Sequence, residues 1–201
     1  MSVISNILYW ISTGLLVPVI VLLIFFFIRA IFMVGAFLGQ YIQVKKTTVR
    51  FREDVKNLSP DTLGAFRESL SGKPDSPLSV FVCRIMDNSE NGAMIDMLLS
   101  EYEIFEDKNI SASRVLTKLG PILGLMGTLI PMGPALVGLS TGDIASMAYN
   151  MQVAFATTVV GLVISAVGFL TQMAKERWAV ANIAVLEYIA EIVKQSNNTK
   201  S

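Results

Sequence analysis

From Leu119 to Ala174 a single side chain, Asp143, carries a charge at neutral pH. A globular domain cannot leave so long a stretch uncharged and keep a wetted surface, whereas a pair of bilayer-spanning helices can. The turn Ser140-Thr141-Gly142-Asp143 divides the stretch into two runs, about Leu119 to Leu139 and about Tyr149 to Ala174. Each is close to the roughly 20 residues that a helix needs to cross the hydrocarbon. A further apolar run begins near Ile7, is interrupted by Arg29 and stays apolar through Phe37, Leu38 and Ile42. At about 1.5 Å per residue it outruns the hydrocarbon core, so it should tilt or leave the membrane as helix. The sequence therefore predicts an all-α integral membrane protein with three transmembrane helices, a helical cytoplasmic region and a C-terminal helical extension.

Orientation follows from the basic residues, which are retained on the cytoplasmic side. Eleven of the sixteen Lys and Arg lie from Lys45 to Lys118 and four from Lys175 onward, with none before Ile7 or between 140 and 148. The N-terminus is expected outside and the C-terminus in the cytoplasm, in a plasma (inner) membrane. The chain then divides into a first transmembrane helix (1–44), a cytoplasmic helical region (45–118), a transmembrane hairpin (119–174) and a cytoplasmic C-terminal helix and tail (175–201). A cleavable signal peptide fits the first run poorly, since the basic n-region is missing and the apolar run is too long.

Helix starts are marked by Ser59-Pro60-Asp61 and Ser76-Pro77, with Gly72-Lys73-Pro74 as the break between them. From about Asn91, the positions Met94, Met97, Leu98, Ile104 and Phe105 suggest a helix that runs through Val115 into the second span. Beyond the third span, Trp178, Ile183, Leu186, Ile189 and Val193 keep helical spacing. The absence of His removes a His base, a His-containing zinc site and a Ser-His-Asp triad. The lone Cys83 permits no disulfide within the chain, and 16 basic against 16 acidic residues give no drive toward nucleic acid. No enzyme activity, cofactor or metal is expected.

Small residues form two seams. In the second span Gly120, Gly124, Gly127, Pro131, Pro134 and Gly138 recur at steps of four and three, and in the third Ala154, Thr158, Gly161, Ser165 and Gly168 do the same. Such faces let helix backbones approach closely in lipid, so a tight hairpin is expected. Thr128 and Thr158 are hydroxyls within apolar spans. Each has two readings, a bond to the carbonyl one turn back or a place on a water-accessible path. Neither ionises at neutral pH, so a proton path would need an ionisable group from elsewhere.

The segment Pro121-Ile122-Leu123-Gly124-Leu125-Met126-Gly127-Thr128-Leu129 resembles the P-x-L-G-L-x-G-T-V segment of the MotA/TolQ/ExbB proton-channel family, and Ala156-Thr157-Thr158-Val159-Val160-Gly161-Leu162 is similar to its A-T-x-x-x-G-L stretch. The resemblance implies a homopentameric ring whose second and third spans enclose single-span partners similar to ExbD, TolR or MotB. Those partners bear the proton-accepting Asp, and the complex turns the proton motive force into mechanical work or transport. It also implies an ion pathway lined by Thr128, Thr158, Thr157 and Gln152. ExbB and TolQ relatives usually carry Glu where this chain has Val153, which leaves the neighbouring Gln152 as the polar substitute. Pro131 stands where Gly is common and, with Pro134, predicts a kinked or locally unwound outer half of the second span. A non-conducting membrane scaffold is the alternative function.

The remaining charges are read more simply. Arg29 is expected to snorkel to the inner headgroups, the alternatives being binding a lipid or pairing with a neighbour. Lys45, Lys46, Arg50 and Arg52 suit a topology signal and anionic-lipid contact. Glu101, Glu103, Glu106 and Asp107 read as a solvated helix face. Asp143 reads as the cap of the third span, and Trp178 as an interfacial anchor.

Overall fold

The computed structural model describes residues 13–56, 63–70 and 76–198, together with Ile4, Ile7, Trp10 and Ile11. The expected signals at Ser59-Pro60-Asp61 and Gly72-Lys73-Pro74 lie outside the described residues, as do the side chains of Lys45, Lys46, Arg50 and Arg52. The described helices are α1 (Leu16–Lys56), α2 (Leu63–Leu70), α3 (Pro77–Asp87), α4 (Gly92–Thr141) and α5 (Ile144–Asn198). Three of them, α1, α4 and α5, are long and apolar enough to span a membrane. The protein is all-helical, as the apolar runs predict.

Two compact units result. One comprises residues 1–38 and 111–172, the other 39–110 and 173–201. In the first, Val19, Leu23 and Ala30 of α1 are buried with Leu116, Leu123 and Ile130 of α4 and Ile164 of α5, and Phe26 and Met33 pack partly against them. The α1 positions 19, 23, 26, 30 and 33 again step by four and three, the spacing of one helix face. Outward-facing side chains such as Val21, Phe25, Phe32, Leu129 and Phe155 are apolar and more than half exposed. In water that surface would aggregate; against acyl chains it is at home.

The second unit is built as water-soluble proteins are. Ser76 caps α3: its Oγ accepts from the Ser79 amide at 3.3 Å, and Ser79 Oγ accepts from the Ser76 amide at the same distance. This reciprocal box has Ser in the place usually taken by Glu or Gln, ahead of Pro77 at the first helical position. Asn91 opens α4, its Oδ1 accepting from the Met94 amide at 3.2 Å. Leu78, Phe81, Val82 and Ile85 of α3 are buried with Ile95, Leu98 and Tyr102 of α4 and Leu186, Ile189 and Val193 of α5. The rings of Phe81 and Tyr102 meet edge to face with centroids 5.0 Å apart, an arrangement favoured by the aromatic quadrupole. The Arg84 guanidinium sits 5.3 Å from the Phe81 ring centroid and pairs with Glu101 at 3.3 Å. Trp178 lies beside Tyr41, with ring centroids 6.0 Å apart.

The helix expected from about Asn91 through Val115 into the second span is present as α4. Its packed face carries Ile95, Leu98 and Tyr102, while Met97 is 62% and Ile104 70% exposed. One expectation is corrected by this packing. Glu106 is not simply solvated, since its Oε1 accepts from the Tyr102 hydroxyl at 2.6 Å, while that hydroxyl accepts from Asn182 at 3.2 Å. A buried phenol needs partners at both ends of its hydroxyl, and an acidic residue one turn on supplies one of them.

Candidate functional site

The hairpin of α4 and α5 begins at its turn. Gly142 has φ +74°, the left-handed region that favours glycine. Its amide donates to the Leu139 carbonyl at 3.3 Å, and the Asp143 amide donates to the Gly138 carbonyl at 2.8 Å. That pair of bonds closes α4 in a Schellman arrangement. Asp143 then opens α5, its Oδ1 accepting from the Ser146 amide at 3.0 Å. One residue thus ends one helix and caps the next, as expected of Asp143.

Along the hairpin the small residues bring backbone against backbone. A Cβ on Gly161 would lie 2.6 Å from the Gly120 carbonyl oxygen and 2.8 Å from Gly124 Cα. One on Gly127 would meet Thr157 Cβ and Oγ1 at 2.6 Å, and one on Gly168 the Thr117 amide at 2.6 Å. No side chain fits at these distances, so any added carbon forces the helices apart. Ala154 is buried on the same side. Across the seam the Ser165 hydroxyl donates to the Thr117 carbonyl at 3.1 Å. Pro121 explains that bond. Having no N–H, it leaves the carbonyl four residues earlier, Thr117, without its helical donor, and a hydroxyl from the neighbouring helix supplies one.

Pro131 is fully buried, and helix α4 continues without interruption past Pro131 and Pro134 to Thr141. Of the expected kink or local unwinding, the unwinding is not found, and an unbroken helix is compatible with a kink. Each proline leaves the carbonyl four residues earlier, Gly127 or Ile130, without its helical donor, yet α4 stays helical through both.

The hydroxyls differ in setting. Thr128 is half-buried and donates to the Leu125 carbonyl at 2.7 Å; Thr158 is half-buried and donates to the Ala154 carbonyl at 3.1 Å. Thr157 is 8% exposed, lies against Gly127 and donates to the Val153 and Ala154 carbonyls at 3.0 and 2.9 Å. Gln152 is exposed. Gly124 brings the two helices together at Thr158, whose Cα would lie 3.5 Å from an added Cβ. Among the described residues no hydrogen bond joins Thr128 to Thr158. A threonine that donates to its own helix keeps its acceptor lone pairs, so each half-buried hydroxyl still offers an oxygen to an ion or a protonated carboxyl.

Sequence reasoning missed the inner continuation of the seam. Ser113 and Thr171 are buried beside Met33 of α1: the Ser113 hydroxyl is 3.5 Å from Met33 Sδ, and Thr171 Oγ1, which donates to the Val167 carbonyl at 2.8 Å, is 3.4 Å from the same sulfur. The signal was present. Ser113 and Thr117 extend the four-and-three steps of α4 inward from Gly120, and Thr171 follows Gly168 by three.

Among the described residues no group of His, Cys, Asp or Glu is placed to hold a metal ion. The helical hairpin and its companion span define a multi-pass membrane protein with a tightly closed, uncharged helix pair and hydroxyls at mid-span. The chain belongs to the MotA/TolQ/ExbB proton channel family, whose model matches residues 78–185, more than half of its length. That family is one of channels rather than enzymes. No curated protein and no solved structure matches the chain.

Proposed function

We propose that this chain is the ring-forming subunit of an ion-driven energy transducer, coupling the proton motive force to mechanical work or transport through a single-span partner similar to ExbD, TolR or MotB. The observation that carries the reading is the charge-free hairpin: α4 and α5 offer hydroxyls at Thr128 and Thr158 and, between Leu119 and Ala174, no titratable carboxyl except Asp143 at the turn. Such a lining can solvate a proton carrier but cannot be one, so the carrier is an Asp brought by the partner. A homopentamer would place Thr128 and Thr158 toward that Asp and Gln152 near the path. Thr157, packed on Gly127, would set the helix spacing behind them. The basic flanks argue for an outer N-terminus and a cytoplasmic C-terminus. Each proton crossing would release about 2.3 kcal/mol per 100 mV of membrane potential.

The test is proton uptake into vesicles that contain the full chain together with its single-span partner. The proposal expects pH-driven flux above the empty-vesicle leak, and loss of most of it in Thr158→Val. Flux equal to the leak, with Thr158→Val changing neither flux nor the work done, would leave the non-conducting scaffold as the correct reading.

A further inference from the structure

Arg29 is the one charge inside the first apolar run, and its surroundings are more specific than snorkelling requires. It lines a cleft of about 180 Å³ with Phe26 of α1 and Ser111, Ala112, Val115 and Leu116 of α4. None of the seam glycines or threonines contributes to it, and no carboxylate lines it. Arg29 makes no hydrogen bond or ion pair with any described residue. On α4 the spacing Ser111, Val115, Lys118 follows one helix face, so a second cation stands one turn beyond Val115. Ser111 and Val115 lie within about two turns before the apolar run that opens at Leu119. The cleft therefore stands where hydrocarbon gives way to headgroups, on the side with the basic flanks. A guanidinium at that depth is costly without a counter-ion. Its planar fork suits a phosphate, two oxygens at a time.

We propose that this cleft binds the headgroup of an anionic phospholipid, with Arg29 holding the phosphate diester and Phe26 and Val115 receiving the first methylenes of the acyl chains. The volume admits a headgroup and not a whole lipid, so the chains lie along the apolar surface that the spans expose. A zwitterionic lipid fits less well, because its ammonium finds no carboxylate among the lining residues and faces Lys118. The mostly apolar lining argues for a lipid over a soluble phosphate. The assignment requires only that the helices span a membrane, not that they conduct.

The experiment uses the full chain in phosphatidylcholine vesicles with trace spin-labelled phosphatidylglycerol or spin-labelled phosphatidylcholine, reading the motionally restricted fraction of each. The wild type is expected to favour phosphatidylglycerol. One basic contact near the surface is worth a factor of about five in this preference, which Arg29→Gln should remove and Arg29→Lys largely keep. Circular dichroism of each variant checks that the helices are intact, and millimolar inorganic phosphate should displace nothing. Equal restriction of the two lipids by the wild type overturns the proposal, as does a preference that survives Arg29→Gln. Displacement by inorganic phosphate would make this a soluble-anion site and also overturn it. A cleft filled by a second copy would leave the two lipids equally restricted at the protein's boundary, and that result overturns it too.

Discussion

At the scale of single residues, the seam glycines make the sharpest claims. Gly161 faces backbone on both sides of its missing side chain, with the Gly120 carbonyl oxygen 2.6 Å from where a Cβ would stand. Nothing flexible is there to move, so Gly161→Ala is expected to cost about 1–3 kcal/mol, the usual penalty of overpacking, read as a lowered unfolding midpoint in detergent. Gly35 of α1 meets nothing within 4 Å, and Gly35→Ala should leave that midpoint unchanged or raise it slightly. The four-and-three spacing made the seam glycines legible as a class. Which of them touch backbone and which a side chain, as Gly127 touches Thr157, was not legible, because that depends on the offset of one helix along the other.

At the scale of elements, the bond between Ser165 and Thr117 ties a helix defect to its remedy. Ser165→Ala is expected to cost about 0.6 kcal/mol, and no more than about 1.7, the range of polar bonds between membrane helices. In a Pro121→Ala background the amide of residue 121 can serve the Thr117 carbonyl, so the same change should cost less. Equal costs in the two backgrounds, measured in a double-mutant cycle of unfolding free energies, would show that the proline does not create the need. The cap at Asp143 is testable in the same way: Asp143→Ala should lose about 1 kcal/mol, with hydrogen exchange quickened first at the start of α5. The sequence announced this cap, because Gly-Asp after a small-residue turn has a local cause. It did not announce which face of α1 packs inward. That helix is apolar all round through its span, so no periodicity marks Val19, Leu23 and Ala30 above their neighbours.

At the scale of the whole molecule, the role of a channel subunit rests on what the spans lack as much as on what they hold. With the partner present, Thr158→Val is expected to lower proton flux about tenfold, taking about 1.5 kcal/mol as the smaller value of a hydrogen bond to a charged or proton-sharing group. If the chain forms the proposed homopentamer, native mass measurement should still find five copies in this variant, since Thr158 bonds within its own helix. Loss of the ring in that variant would assign Thr158 to assembly and remove it from the proposed path. The second unit, residues 39–110 and 173–201, has a core of its own. Its core is made of buried Leu, Ile and aromatic side chains, and its exposed ion pairs, such as Lys194 with Asp96 at 2.6 Å, are expected to add little.

The sequence by itself determined that the chain is helical with three apolar helices long enough to span a membrane, that its hairpin is lined with small residues, and to which family it belongs. These follow from local chemistry: apolar length against bilayer thickness, capping residues, and the spacing of glycines. The tertiary structure alone decided that α4 stays helical through Pro131 and Pro134, that Ser165 serves the carbonyl freed by Pro121, that Ser113 and Thr171 gather on Met33, and that Arg29 opens onto a cleft. Each of these depends on what a second helix presents at one point. A one-dimensional pattern can show that two faces fit, but the partner of a given atom exists only once the helices are laid side by side.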